Sequence, residues 1–362
     1  MGRIVAVIGG GYGGAAAAKA LDGDTDVILI EPKDAFVHSV GALRALVRPD
    51  WAGNIFFPYD RLLARGEVVR GRATSVDSGG VTLASGDRVD ADYLVLASGS
   101  SYPFPAKMDT DVADQALERL RAASKELAGG GRVLIAGAGP VGLELAGEIR
   151  AAWPDKRVTI VDPGEQVLPG FLPELHADLH RQLRDLNIEL RLDTTLLTEP
   201  PTRPGLAETF TVRTTGGDLT ADIWFRCHGA SANGDYLGDG KAIARTPQGK
   251  VRVTEKLNVH GHSHIYALGD ITDIAEAKMA AHAMKHAEVV AANIIAQVRG
   301  EEPAAVYRPS PVPSILLPLG PAAGVGQIPT PDGPTVLPAR TVAEYKGTHL
   351  LIDRFAELFG TA

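Results

Sequence analysis

Thiols are almost missing from this chain: Cys227 is the only cysteine in 362 residues. No intramolecular disulfide can form, which excludes catalysis through a redox-active cysteine pair and sulfide oxidation through a cysteine relay. Cys227 itself, within Trp224-Phe225-Arg226-Cys227-His228-Gly229, reads as a small buried residue rather than a nucleophile. Long apolar runs are also lacking, since no stretch approaches about eighteen uninterrupted apolar residues. The N-terminus enters its first strand by Ile4, leaving no room for a charged leader, so a cytoplasmic protein is expected. Basic clusters are absent too. With 36 Lys and Arg against 44 Asp and Glu, the net charge of -8 argues against a nucleic-acid partner.

What the chain does contain is a pair of glycine loops, Gly9-Gly10-Gly11-Tyr12-Gly13-Gly14 and Gly137-Ala138-Gly139-Pro140-Val141-Gly142. A GxGxxG spacing alone is weak evidence, and its context decides. The first loop follows the apolar run Ile4–Ile8 and precedes an alanine-rich helical stretch to Leu21; a second strand, Val27–Ile30, then ends at Glu31. The second loop follows Val133–Ala136 and opens a helix from Val141 to about Ala151, after which Val158–Val161 ends at Asp162. Strand, glycine turn, helix, strand and acid is the order in which backbone N–H groups and a helix N-terminus hold a pyrophosphate while a carboxylate takes ribose hydroxyls. Two dinucleotides on one chain are therefore expected, on two Rossmann-like domains.

Further along, Tyr93–Ala97 reads as a buried strand stopping at Ser98-Gly99, and an amphipathic helix near Val112–Leu127 leads to the hinge Gly129-Gly130-Gly131. Pro200–Gly205 reads as a surface loop without function. The strand Ile265–Leu268 ends in Gly269-Asp270, where an aspartate can accept from cofactor polyol hydroxyls. A helix is expected from about Ala275 to Arg299, its positive end facing a group that becomes anionic on reduction. On that helix Lys278, His282, Lys285 and His286 form a basic stripe at helical spacing, either a functional face or a solvated one. His282 and His286 lack a third ligand, and His260-Gly261-His262-Ser263-His264 reads as a polar loop, so no metal is expected.

The ordered set of both loops, Glu31, Asp162, Leu94–Gly99 and Tyr266–Asp270 resembles the two-dinucleotide-binding-domain flavoproteins. Val40–Arg44, Pro140–Ile149, Lys278-Met279-Ala280 and Gly324–Gln327 are similar to the AIF-like branch that contains ferroptosis suppressor protein, near relatives of type II NADH dehydrogenases. The resemblance implies an α/β fold with the second Rossmann-like domain inserted in the first and a small α+β C-terminal region. It assigns residues 1–110 and 246–304 to FAD, 111–245 to NAD(P)H and 305–362 to the C-terminal domain. The FAD residues it implies are Gly9, Gly11, Gly14, Glu31, Arg44, Ser98, Gly99, Asp270 and Lys278; those for NAD(P)H are Gly137, Gly139, Gly142 and Asp162. Asp162 favours NADH, with NADPH admissible. Glu144, Lys346, Lys278 and His282 are the implied catalytic residues, Glu144 and Lys346 lying near the nicotinamide and flavin.

The activity so implied is NAD(P)H:quinone oxidoreduction, with hydride passing from NADH to FAD and two electrons then passing to a quinone or another small acceptor. Rivals are a ferredoxin-type reductase and a non-turnover flavoprotein whose partner affinity responds to NADH. The chain departs from type II NADH dehydrogenases in carrying Ala277-Lys278-Met279-Ala280-Ala281-His282 where they have a glutamine pattern. Its C-terminal stretch Leu350–Phe359, read as a helix, puts Leu351, Ile352, Phe355, Leu358 and Phe359 on one face. Docking on the protein is favoured over peripheral contact with the inner face of the cell membrane, because the polar face carries little basic charge. A homodimer is compatible with everything above.

Overall fold

The computed structural model describes residues 2–238 and 243–361. Its largest sheet has five parallel strands in the order Ile265–Ala267, Tyr93–Leu96, Ile4–Ile8, Asp26–Glu31 and Glu67–Arg70. The near-continuous apolar sequences of these strands suit a sheet covered on both faces, and Val5, Val7, Leu29, Leu94, Val95 and Leu96 are buried. The helix Tyr12–Leu21 covers one face with Gly13, Gly14, Ala15, Ala17 and Ala18 turned inward. These small side chains allow the long helix Ala280–Val298 to pack close against it.

A second parallel sheet, in the order Ile188–Arg191, Arg157–Val161, Arg132–Ala136 and Ile223–Arg226, is built from the chain between the strands Tyr93–Leu96 and Ile265–Ala267 of the first. The sequence leaves the first unit through Ser100–Ser101 and returns through Ser231–Ala232. These two crossovers pair antiparallel, so the entrance and exit of the inserted unit are tied together. The fold is thus α/β with one Rossmann-like unit inserted in another. It is completed by an antiparallel sheet of Ile315–Pro318, Gly324–Thr330 and Gly333–Leu337, followed by short helical turns.

The short helix Ala42–Val47 belongs to the first unit by sequence, yet it packs into the second unit's core beside Leu143, Ile149 and Leu317. At the C-terminus only Ile352–Leu358 is helical; Leu350 and Leu351 adopt positive φ of 52° and 61°. Phe355 and Phe359 are buried against Phe36, with Phe359 stacked at 4.7 Å. Leu351, expected on the same apolar face, lies outside the helix and is exposed, because its left-handed backbone breaks the periodicity. The segment docks on the protein. Among the described residues, no helix is long and apolar enough to cross a membrane.

Candidate functional site

The two glycine loops have nearly the same geometry. Gly9 and Gly137 take φ of +104° and +114°, and their N–H groups donate to the carbonyls of Ile30 and Val161, the ends of the neighbouring strands. A Cβ on Gly14 would lie 1.8 Å from the Gly9 oxygen, and one on Gly142 2.0 Å from the Gly137 oxygen. Only glycine fits there, because each helix must press against its own turn. By contrast, a Cβ on Gly11 or Gly139 would meet nothing. Both residues cap their helices without any side-chain hydrogen bond, so the first-turn N–H groups have no side-chain partner. Open space over bare helix N-termini suits the pyrophosphates of two dinucleotides.

The acids occupy equivalent places. Glu31 Oε2 accepts from Gly10 N at 2.6 Å, and Asp162 Oδ2 accepts from Ala138 N at 2.7 Å. Just past Glu31 in the chain, Lys33 lines an open groove of about 360 Å³ together with Tyr59, Val68 and Arg70 among others. Tyr59 also donates to the Gly10 carbonyl at 2.9 Å and so braces the first loop. No periodicity or motif marked Tyr59 in advance.

At the edge of the first sheet Gly269 turns with φ +71° and presents Asp270. Ser100 Oγ donates to Asp270 Oδ2 at 2.6 Å, and Lys107 Nζ lies 3.6 Å from the same carboxyl while bonding Ser100. Burial pulls the Lys107 ammonium down, opposed by Asp270. Nothing in the sequence around Ser100 and Lys107 marks them, because their stretch has no periodic pattern. Ser98, expected at the cofactor, donates its hydroxyl to the Asn233 carbonyl at 2.7 Å, at the tied crossovers. Gly99 beside it has φ +66° and open space at its Cβ.

The expected basic stripe does not form. The helix begins at Ala280, not near Ala275, with Met279 extended before it. Lys278 Nζ instead donates to the carbonyls of Thr272 and Ile274, both at 3.0 Å, and gathers the preceding loop around itself. That loop carries Glu276 under the helix, where Tyr307 Oη donates to it at 2.5 Å and His286 Nε2 lies 2.8 Å away. His282, the other expected catalytic residue, places Nδ1 2.9 Å from the Ala277 carbonyl and 3.5 Å from Glu276. His286 is buried rather than part of a solvated face. Gly269 N donates to His286 Nδ1 at 3.0 Å, so the ring proton sits on Nε2, toward Glu276. A buried histidine thereby holds the amide next to Asp270.

Glu144 and Lys346, far apart in sequence, meet. Lys346 Nζ donates to Glu144 Oε1 at 2.8 Å and to the Leu316 carbonyl at 3.0 Å. Lys346 lies in a π-helical turn, Ala343–Gly347, a form often found at functional sites. Burial pushes the Glu144 carboxyl up, and the ammonium beside it opposes the rise. Arg44, expected at FAD, is committed elsewhere. Its Nε and Nη2 bond Glu148, the latter at 2.6 Å, and its Nη1 donates to the Thr348 carbonyl at 2.9 Å. The helix carrying Arg44 packs on the second unit, where its fork bonds Glu148 and Thr348. Glu148 was missed although two acids one turn apart on an otherwise apolar helix were a readable signal.

A second buried histidine ties the first loop to the C-terminus. Val40 N donates to Tyr12 Oη, Tyr12 Oη lies 3.1 Å from His38 Nδ1, and His38 Nε2 lies 2.7 Å from the Leu350 carbonyl. Cys227 is buried, and burial pushes its thiol up to about 12, which leaves it inert.

Burial also pushes the imidazoles of His38 and His286 down to about 4 from the ordinary 6.5. A lower value in the folded state means that the unfolded chain binds the protons more readily. Stability is therefore complete above pH 6.5 and is lost as pH falls toward 4, by roughly 3 kcal/mol for each ring. Glu144, raised by burial, works in the opposite sense at the acid end. Asp77 and Asp222, held down by Arg88 and Arg132, titrate below this window. The denaturant midpoint should fall steeply between about pH 7.5 and about pH 4.5; a flat profile means that these rings are not buried and neutral.

Residues 3–288 match the pyridine nucleotide-disulphide oxidoreductase family. The chain is 32% identical over 334 residues to ferroptosis suppressor protein 1 of Mus musculus, covering 90% of this chain and 88% of that protein. It is 30% identical over 374 residues to apoptosis-inducing factor homolog B of Dictyostelium discoideum, covering 97% and 95%. Among solved structures, the sulfide:quinone oxidoreductase of Aquifex aeolicus superposes with a TM-score of 0.79 at 18% identity, covering 99% of this chain and 92% of that one. A water-forming NADH oxidase from Lactobacillus brevis, bound to NADH, gives 0.66 at 21%, covering 84% and 71%. These two likenesses speak for the fold.

Proposed function

This chain belongs to the pyridine nucleotide-disulphide oxidoreductase family as an AIF-like, FAD-dependent NAD(P)H oxidoreductase, and from that premise we propose that its electron acceptor is a quinone. Bound FAD supplies the chemistry, accepting a hydride and releasing two electrons. The observation that carries the reading is the Lys346–Glu144 pair, which joins the second glycine loop's helix to the C-terminal region at a half-buried spot. The disulfide in the family's name has no counterpart here, since the one cysteine is buried. A small acceptor that needs no thiol suits such a site. A quinone meets that requirement, and by its name the Aquifex aeolicus protein of the same fold uses one.

In this reading residues 1–110 and 246–304 hold FAD, through the first glycine loop, Glu31 and Asp270. Residues 111–245 hold the nicotinamide dinucleotide through Gly137, Gly139, Gly142 and Asp162, and residues 305–362 close over both. Asp162 has its two oxygens on Ala138 N and Gly164 N. Its carboxylate would meet a 2'-phosphate as an acceptor against an acceptor, and NADH is preferred. With both dinucleotides bound, Lys346 would supply a donor against the negative charge that develops during transfer, with Glu144 as its counter-ion. Lys107 pairs with Asp270 in the same way.

Anaerobic mixing with NADH in a stopped-flow spectrometer should bleach the flavin, and menadione or a short-chain ubiquinone should restore it rapidly. Bleaching without restoration by quinone retains the cofactor assignments and rejects the acceptor.

A further inference from the structure

Arg44 is a buried cation, its side chain only 5% exposed, drawn from the first unit into the core of the second. Burying a guanidinium is costly unless its donors are satisfied, and here they are shared between two places. One is Glu148, one turn along the helix from Glu144. The other is the carbonyl of Thr348, two residues beyond Lys346. Thr348 itself closes the π-helical turn, its N and Oγ1 both donating to the Ala343 carbonyl. The planar fork of one arginine thus grips the helix that carries Glu144 and the turn that carries Lys346.

We propose that Arg44 is the positioning residue of the Lys346–Glu144 pair, setting the ammonium and carboxylate in register for hydride transfer from the bound nicotinamide. The proposal rests on the reading of that pair given above. Its electrostatic part is separate from its geometric part. Without Arg44, the Glu148 carboxylate would be buried without a partner, and from one turn away it would compete with Glu144 for Lys346. Lysine cannot replace arginine here, because a single ammonium lacks the fork that reaches both Glu148 and Thr348.

The test is a cycle on the FAD-loaded protein with Arg44→Lys, Lys346→Met and the double variant, each read by stopped-flow flavin bleaching at saturating NADH. Arg44→Lys is expected to slow bleaching about tenfold, since small misplacements near the reacting atoms are costly. In the Lys346→Met background the same change should have almost no further effect, because the object being positioned is gone. A crystal structure of Arg44→Lys supplies a readout without turnover, with Lys346 Nζ and Glu144 Oε1 expected beyond about 4 Å. If Arg44→Lys costs the same factor in both backgrounds, Arg44 is only a structural residue and the proposal falls. If Lys346→Met bleaches at the wild-type rate, the reading of the pair fails first and takes the proposal with it. Should Arg44→Lys not fold, Glu148→Gln tests the same coupling, since it keeps an acceptor for Arg44 and removes the charge.

Discussion

Gly142→Ala is expected to yield a yellow protein that NADH no longer reduces at ordinary concentrations, whereas Gly14→Ala should yield a protein without flavin. The added Cβ would meet the backbone oxygen of Gly137 at 2.0 Å in one case and that of Gly9 at 1.8 Å in the other. Neither oxygen is the far end of a flexible side chain. The helix N-terminus must back away from its own turn by an ångström or more, and the N–H groups that face a pyrophosphate move with it. A loss of about 100-fold in dinucleotide affinity, ~2.7 kcal/mol, follows for the loop concerned. The effects are separable because each loop springs from its own parallel sheet. The measurements are the flavin absorbance per polypeptide and the NADH dependence of bleaching. Flavin loss from Gly142→Ala, or full flavin in Gly14→Ala, would reverse the assignment of the loops.

Replacing Lys346 by methionine is expected to slow flavin bleaching by about 100-fold at saturating NADH, the usual cost of removing one preorganised charge from a transition state. The ammonium sits 2.8 Å from Glu144, whose carboxyl is already pushed up by burial. With its partner gone that carboxyl rises further, and the pair keeps no positive member. Glu144→Gln should slow transfer less, because Lys346 keeps its bond to the Leu316 carbonyl. Flavin content should be unchanged in both variants. A Lys346→Met rate within about twofold of wild type would remove the pair from catalysis.

Both glycine loops and the acids that bond them were legible because each is a local device, complete within about thirty residues of strand, turn, helix and strand. The burial of Cys227 agrees with the sequence as well, since it follows the strand Ile223–Arg226 into a core built from several elements. The start of the helix after Asp270 was not legible. Residues 273–279 contain neither glycine nor proline and look helical. They stay irregular because Lys278 takes two carbonyls of the preceding loop and Glu276 lies against the buried His286 and the half-buried Tyr307. Tyr307 lies beyond the helix, so no local pattern announces it. Arg44 shows the same limit. Only the packing of its helix, Ala42–Val47, in one core with Leu143 and Ile149 decides which carboxylate the guanidinium meets.

By itself, then, the order of residues determined the two Rossmann-like units, the insertion of one in the other, and the two glycine turns with the acids that bond them. Short-range sterics and backbone hydrogen bonding are enough for these. Tertiary structure alone decided that Lys346 meets Glu144, that Arg44 serves Glu148 and Thr348, that His286 holds Gly269, and that Phe355 and Phe359 close the C-terminus onto Phe36. Each of these joins segments from different parts of the chain. Buried charges and rings find partners only after the sheets have packed, when the cost of leaving them without a partner selects the geometry.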